Sequence, residues 1–152
     1  MYYAVNIEEE TIKNTDYRRV LYTPGYQQLV LMSIPPGEDI PLEMHSDVDQ
    51  FFRIEKGTGE IRVGKNEEET IKISDGSGVI IKHGTYHRVI NTGDEDLKLY
   101  TIYSPPEHPP NRVDKYRPSP NDNKTKLLAA VRLIPSALDI KDTRHISILL
   151  SF

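Results

Sequence analysis

The chain has 152 residues, 37% hydrophobic and 28% charged, with a formal charge of −4. That length is one domain's worth of chain and can bury a core, while the acidic balance argues against a general nucleic-acid binder, which needs clustered Lys and Arg. Cysteine is absent, so disulfides and thiolate ligands are excluded and any metal must rest on His, carboxylate or amide oxygen.

At the N-terminus, MYYAVNIEEE shows no basic region followed by an apolar one, and no later run approaches the roughly 18 apolar residues of a membrane span. A cytoplasmic protein without a membrane partner is expected. Residues 1–25 are expected to hold one or two further strands, YYAVNI and RRVLYT, with the charged EEETIKNTD between them as a turn or solvated connection. From about residue 26 to 103 the chain reads as strand after strand: 26–34, 50–57, 59–64, 69–76, 78–84, 86–93 and 97–105. Each is short and rich in β-branched and aromatic residues, and Gly, Pro, Asn and Asp mark the turns between them. No helix-period pattern interrupts this stretch, which makes a βαβ fold a poor fit. Prolines at 105, 106, 109, 110, 118 and 120 forbid continuous ladder or helix bonding, so 105–126 is expected to be an extended arm. LLAAVRLI (127–134) is expected as a short helix that must dock on something. ISILLSF (146–152) is expected as a strand that pairs with the barrel or a second subunit.

Two segments carry chemistry. In 37–57, Glu43 and His45 stand two apart, so on a strand their side chains leave the same face. Gln50 shares parity with Phe52 and Ile54, against Phe51, Arg53 and Glu55, and therefore belongs to the inward face, where a lone amide is costly to bury. In 76–91, His87 is in phase with Val89 and out of phase with Tyr86 and Arg88, so it points inward too. Two imidazoles, a carboxylate and an amide oxygen form a donor set suited to Fe, Mn, Ni, Co or Zn as divalent ions. Three or four protein ligands would leave positions open for water or substrate.

The spacing of these residues resembles the paired motifs of the cupin superfamily. The first motif runs Gly, five residues, His-x-His, three or four residues, Glu, six residues, Gly; here Gly37, Glu43-x-His45, Gln50 and Gly57 reproduce every interval. The second runs Gly, five residues, Pro-x-Gly, two residues, His, three residues, Asn, and is matched by Gly76, Lys82-x-Gly84, His87 and Asn91. Three positions depart from the pattern. Glu43 stands for the first histidine, Gln50 for the glutamate and Lys82 for the proline. The chain looks most like the small stand-alone cupins similar to mannose-6-phosphate isomerase. His, Gln, Glu and a second His also make up the zinc set of the phosphomannose isomerases.

The resemblance implies an all-β jelly roll, the double-stranded β-helix, over residues 1–110, with 111–152 as a C-terminal extension. It implies one divalent metal ion on Glu43, His45, Gln50 and His87, and a homodimer. The expected function is a metal-dependent enzyme on a small polar or sugar-like substrate, of isomerase or epimerase type. An Fe(II) dioxygenase and a non-catalytic module that captures a small ligand are the alternatives. No general acid/base pair is evident beside the ligands. Asp47 and Asp49 read as solvated turn residues, and His83, His108 and His145 as surface residues. Gly37, Gly57, Gly76 and Gly84 read as turn devices and Asn91 as a loop tie. Phe52, Ile54, Val89, Tyr100 and Ile102 are candidates for the pocket wall.

Overall fold

A computed structural model of the chain describes residues 1–119. Ten strands and one short helix make up the described part: α1 (Ile7–Lys13), β1 (Arg18–Tyr22), β2 (Gln28–Ile34), β3 (Asp39–Glu43), β4 (Asp49–Lys56), β5 (Thr58–Val63), β6 (Glu69–Ser74), β7 (Gly78–Ile81), β8 (His87–Asn91), β9 (Leu97–Ser104) and β10 (Val113–Asp114). Six strands form one sheet in the order β10-β1-β2-β9-β4-β7, and four form the other in the order β3-β8-β5-β6. Every pairing is antiparallel. The fold is the expected all-β jelly roll.

The alternation in the sequence explains the strands. Along β4, Gln50, Phe52 and Ile54 are buried while Phe51, Arg53 and Glu55 are only partly so. The two sheets bury one shared core, with Val30, Met32, Phe52, Ile54 and Leu99 from the larger and Ile40, Ile61, Ile73 and Val89 from the smaller. Each fully buried aliphatic or aromatic side chain contributes about 1.5–3 kcal/mol. Turns close where backbone conformation demands it. Gly57 sits at φ +89°, and a Cβ there would lie 2.9 Å from the Asp96 carbonyl oxygen, so only glycine fits the β4–β5 corner.

The N-terminal expectation needs two corrections. YYAVNI forms no strand; Tyr3 instead stacks on Tyr22 with ring centroids 4.7 Å apart. The charged connection contains a helix. The Asn6 side chain accepts from the Glu9 N–H, three glutamates occupy the first turn and Lys13 the last. Cap and charges thus complement the helix dipole, and such a short element leaves little apolar period to read. β3, absent from the run of expected strands although Glu43 reads as strand-borne, is a five-residue edge strand containing Pro41, which an edge tolerates because one side needs no ladder N–H. In the proline-rich arm, β10 pairs with β1 through Arg18 with Asp114 and Arg19 with Val113. One compact unit runs from Met1 to Arg117. The expected helix at 127–134 and strand at 146–152 lie outside the described residues.

Candidate metal centre

The strands bring all four candidate ligands to one end of the barrel. The β3–β8 register places Glu43 opposite His87, after an irregularity between Ile40 and Glu43. His45 follows in the β3–β4 loop, and its carbonyl accepts from the Gly84 N–H at 2.6 Å, which ties together the loops carrying the two motifs. Lys82 in the proline position still permits a closed turn, because the Thr85 N–H donates to the Lys82 carbonyl at 3.2 Å. Asp49 takes part in the same turn. It accepts from the His83 backbone N–H at 2.9 Å, a role the reading of Asp49 as merely solvated did not anticipate.

Glu43, His45 and His87 offer one donor atom each, all within 4.8 Å of one another. Glu43 Oε1 stands 3.5 Å from His45 Nε2 and 3.5 Å from His87 Nε2. His87 Nε2 is 3.0 Å from Gln50 Oε1. Metal–ligand bonds of about 2.0–2.2 Å put neighbouring ligand atoms about 3.0–3.5 Å apart, which is the range these donors occupy. Glu43 Oε1 and His45 Nε2 are buried and make no hydrogen bond, a costly state unless a metal ion, or a proton on the facing imidazole, satisfies them. His87 Nδ1 faces the Thr85 carbonyl at 3.0 Å, so a neutral ring with its proton on Nδ1 turns the Nε2 lone pair toward Gln50 Oε1. A metal ion or a second ring proton between Nε2 and that oxygen would satisfy both. The donor set therefore fits a divalent ion.

The electrostatics follow from the same contacts. Burial pushes the Glu43 carboxyl upward, but the flanking His45 and His87 imidazoles outweigh it and hold the group down at about 2. Burial pushes His45 down, and the carboxylates of Glu43 and Glu107 more than reverse this, raising it above the ordinary imidazole value.

Other site expectations fare unevenly. Phe52, Ile54 and Val89 are fully buried as expected, and the Phe52 ring meets His87 edge-on at 5.9 Å. Tyr100 and Ile102 face the other way. On β9 the buried parity belongs to Leu97, Leu99, Thr101 and Tyr103, and Tyr100 packs against Phe51 on the outer face. Asn91 is a loop tie, since its amide donates to the Ile34 and Glu95 carbonyls at 2.8 Å each and accepts from the Gly93 N–H. Gly37, Gly57, Gly76 and Gly84 all have positive φ.

His83 is exposed, but His108 is not the surface residue expected. Its ring packs edge-on to Tyr103 at 5.0 Å, its Nε2 is buried without a partner, and burial pushes its imidazole down to about 3. Glu107 was not singled out from sequence either, yet its Oε1 lies 3.4 Å from His45 Nδ1. Thr101 accepts the Gln50 amide N–H at 3.1 Å, and Tyr103 meets the His45 ring edge-on at 5.7 Å. Thr101 and Tyr103 lie on the buried parity of β9, a strand whose two faces are too alike for the sequence to mark them. Nothing local marks Glu107 or His108, which follow the prolines at 105 and 106. His145 lies outside the described residues.

A double-stranded β-helix with imidazoles and a carboxylate clustered at one end defines a cupin. The family's cupin-domain model matches residues 30–103, and the chain belongs to that family. It is 50% identical over 125 residues to the uncharacterized protein L612 of Acanthamoeba polyphaga mimivirus, covering 82% of this chain and 78% of that protein. It is 46% identical over 110 residues to the uncharacterized protein YrkC of Bacillus subtilis, covering 70% of this chain and 59% of YrkC. Among solved structures it resembles BH2720 from Bacillus halodurans, with a TM-score of 0.74 and 44% identity over 76% of this chain and 89% of that one.

Among the described residues no helix is long and apolar enough to cross a membrane.

Proposed function

We propose that this cupin is a divalent-metal enzyme of isomerase or epimerase type acting on a small, oxygen-rich substrate, similar to the mannose-6-phosphate isomerase-like cupins. Its ion would be held by Glu43, His45, Gln50 and His87. One observation carries this reading: Glu43 Oε1 and His45 Nε2 are buried and unbonded, and they stand at ligand spacing from each other.

The metal, when bound, would supply Lewis acidity toward substrate oxygens and so favour charge developing there. The chain supplies the rest. Glu43 brings the one anionic charge of the quartet, and the imidazoles and the amide bring neutral donors. Phe52 and Tyr103, both buried beside the imidazoles, keep that side of the cluster dry. Four protein donors leave positions for substrate in a six-coordinate ion.

A second reading has support in the Gln50 amide, which is anchored to Thr101. If Gln50 only steadies His87, then Glu43, His45 and His87 remain as a two-histidine, one-carboxylate set of the kind that holds Fe(II) for oxygen chemistry.

The test is elemental analysis of protein purified without added metal, followed by turnover on a panel of sugars and sugar phosphates. One equivalent of a divalent metal, lost in His45→Ala and His87→Ala, with isomerisation of a panel member is the expected result. Oxygen uptake dependent on Fe(II) would favour the second reading. Metal content unchanged in both variants would refute the site.

A further inference from the structure

We propose that Glu107 is a positioning residue for this centre: its carboxylate accepts the Nδ1 proton of His45 and thereby turns the Nε2 lone pair of that ring toward Glu43 and His87. The proposal rests on the metal reading above and assigns a role to a residue outside both cupin motifs.

A neutral imidazole carries one proton, so whichever nitrogen faces an acceptor fixes what the other can do. His87 shows the pattern with its Nδ1 on the Thr85 carbonyl at 3.0 Å and its Nε2 toward the cluster. His45 repeats it. Its Nδ1 lies 3.4 Å from Glu107 Oε1, and its Nε2 is the buried, unbonded atom facing Glu43. Both rings thus present the same nitrogen inward and back the other with an oxygen. Glu107 does not belong to the donor group itself, which is Glu43, His45 and His87; it touches the far side of the His45 ring. A carboxylate there raises the basicity of the ligand and holds the ring plane, the arrangement that gives such partners their effect on metal affinity.

The fold delivers Glu107 to this place deliberately. The next residue, His108, is clamped through its backbone by the fully buried Gln28 side chain. The His108 N–H donates to Gln28 Oε1 at 2.9 Å, and Gln28 Nε2 donates to the His108 carbonyl at 2.7 Å. Gln28 Nε2 also donates to Thr23 at 3.0 Å. Prolines at 105 and 106 restrict the approach from β9. The Glu107 side chain remains about one-third exposed, at 34%, so its truncation should leave the fold intact.

The experiment compares wild type, Glu107→Ala and Glu107→Gln. Zinc affinity is measured by chelator competition, cobalt loading by visible absorption, and the His45 tautomer by long-range proton–nitrogen correlation in histidine-labelled protein. Glu107→Ala is expected to bind zinc about 10- to 100-fold more weakly, with the metal-free melting temperature unchanged. Glu107→Gln, which keeps an acceptor oxygen, is expected to recover most of that loss. The cobalt spectrum is expected to report the same coordination in all three.

A loss under threefold in Glu107→Ala would overturn the proposal. So would a Gln variant as weak as Ala with both melting lower, which marks a structural role, or a cobalt spectrum that changes coordination class, which marks Glu107 as a ligand. If the wild type holds no metal, the metal reading falls, and the metal-free tautomer at pH above the imidazole range decides the rest. A His45 proton on Nδ1 that moves to Nε2 in Glu107→Ala sustains the positioning role; one tautomer in both proteins refutes it.

Discussion

The two ends of the barrel interior are built from the same strands but from different residues. Along β2 the buried face runs from Gln28 through Val30 and Met32 to Ile34, and along β4 from Gln50 through Phe52 to Ile54. On β9 the direction reverses, from Leu97 and Leu99 to Thr101 and Tyr103. Because the pairing is antiparallel and sets Gln28 and Gln50 each opposite Tyr103, the polar residues collect at one end and the aliphatic ones at the other. Each strand therefore gives one half to the apolar core and the other to the polar cluster. Among the buried polar atoms without a hydrogen bond, Glu43 Oε1, His45 Nε2 and His108 Nε2 lie at the polar end, a cost to folding that a bound cation would offset.

The sharpest way to break this division is a cut at the apolar end. Leu99 is fully buried between Met32 and Ile54 in the sheet. Leu99→Ala is expected to cost about 2–5 kcal/mol in urea unfolding, while metal stoichiometry stays as in the wild type. Loss of metal along with stability would mean the ends are not separable.

A smaller effect is expected at the polar end. His108 is held neutral chiefly by burial, with a folded value of about 3 against about 6.5 unfolded. Between those values the unfolded chain binds the extra proton, so stability is complete above about pH 6.5 and falls as the pH drops toward 3. His108→Gln should flatten that acid limb of the melting temperature; an identical limb in the variant would mean the imidazole is not buried neutral.

The smallest effect belongs outside both ends. Lys13 and Glu9 pair at 2.6 Å on the exposed face of α1. Solvent screens such a pair, and Lys13→Ala should leave both melting temperature and metal content unchanged.

What was legible in the sequence follows the same division. Strands with one buried face write their parity into the residue order, so Gln50 and His87 could be oriented from sequence alone. The motif spacing located Glu43 and His45 because both lie within one hairpin's reach of their motif glycines. Tyr100 and Ile102 were misassigned because β9 is apolar on both faces, with Lys98 buried beside Leu97 and Leu99, and two-sided strands carry no usable alternation. Glu107 and His108 were invisible for another reason. They reach the site only because the chain after β9 folds back and is pinned by Gln28, a residue 80 positions earlier. No local pattern encodes a contact of that range.

The most direct test of the central claim is X-ray absorption at the metal edge of stoichiometrically loaded protein, with the histidine ligands counted from imidazole scattering. Two imidazoles in the wild type, with oxygen neighbours at about 2.0–2.2 Å, and one in His87→Ala loaded at excess metal is the predicted result. A wild-type spectrum with no imidazole, or a count that His87→Ala leaves unchanged, would contradict it.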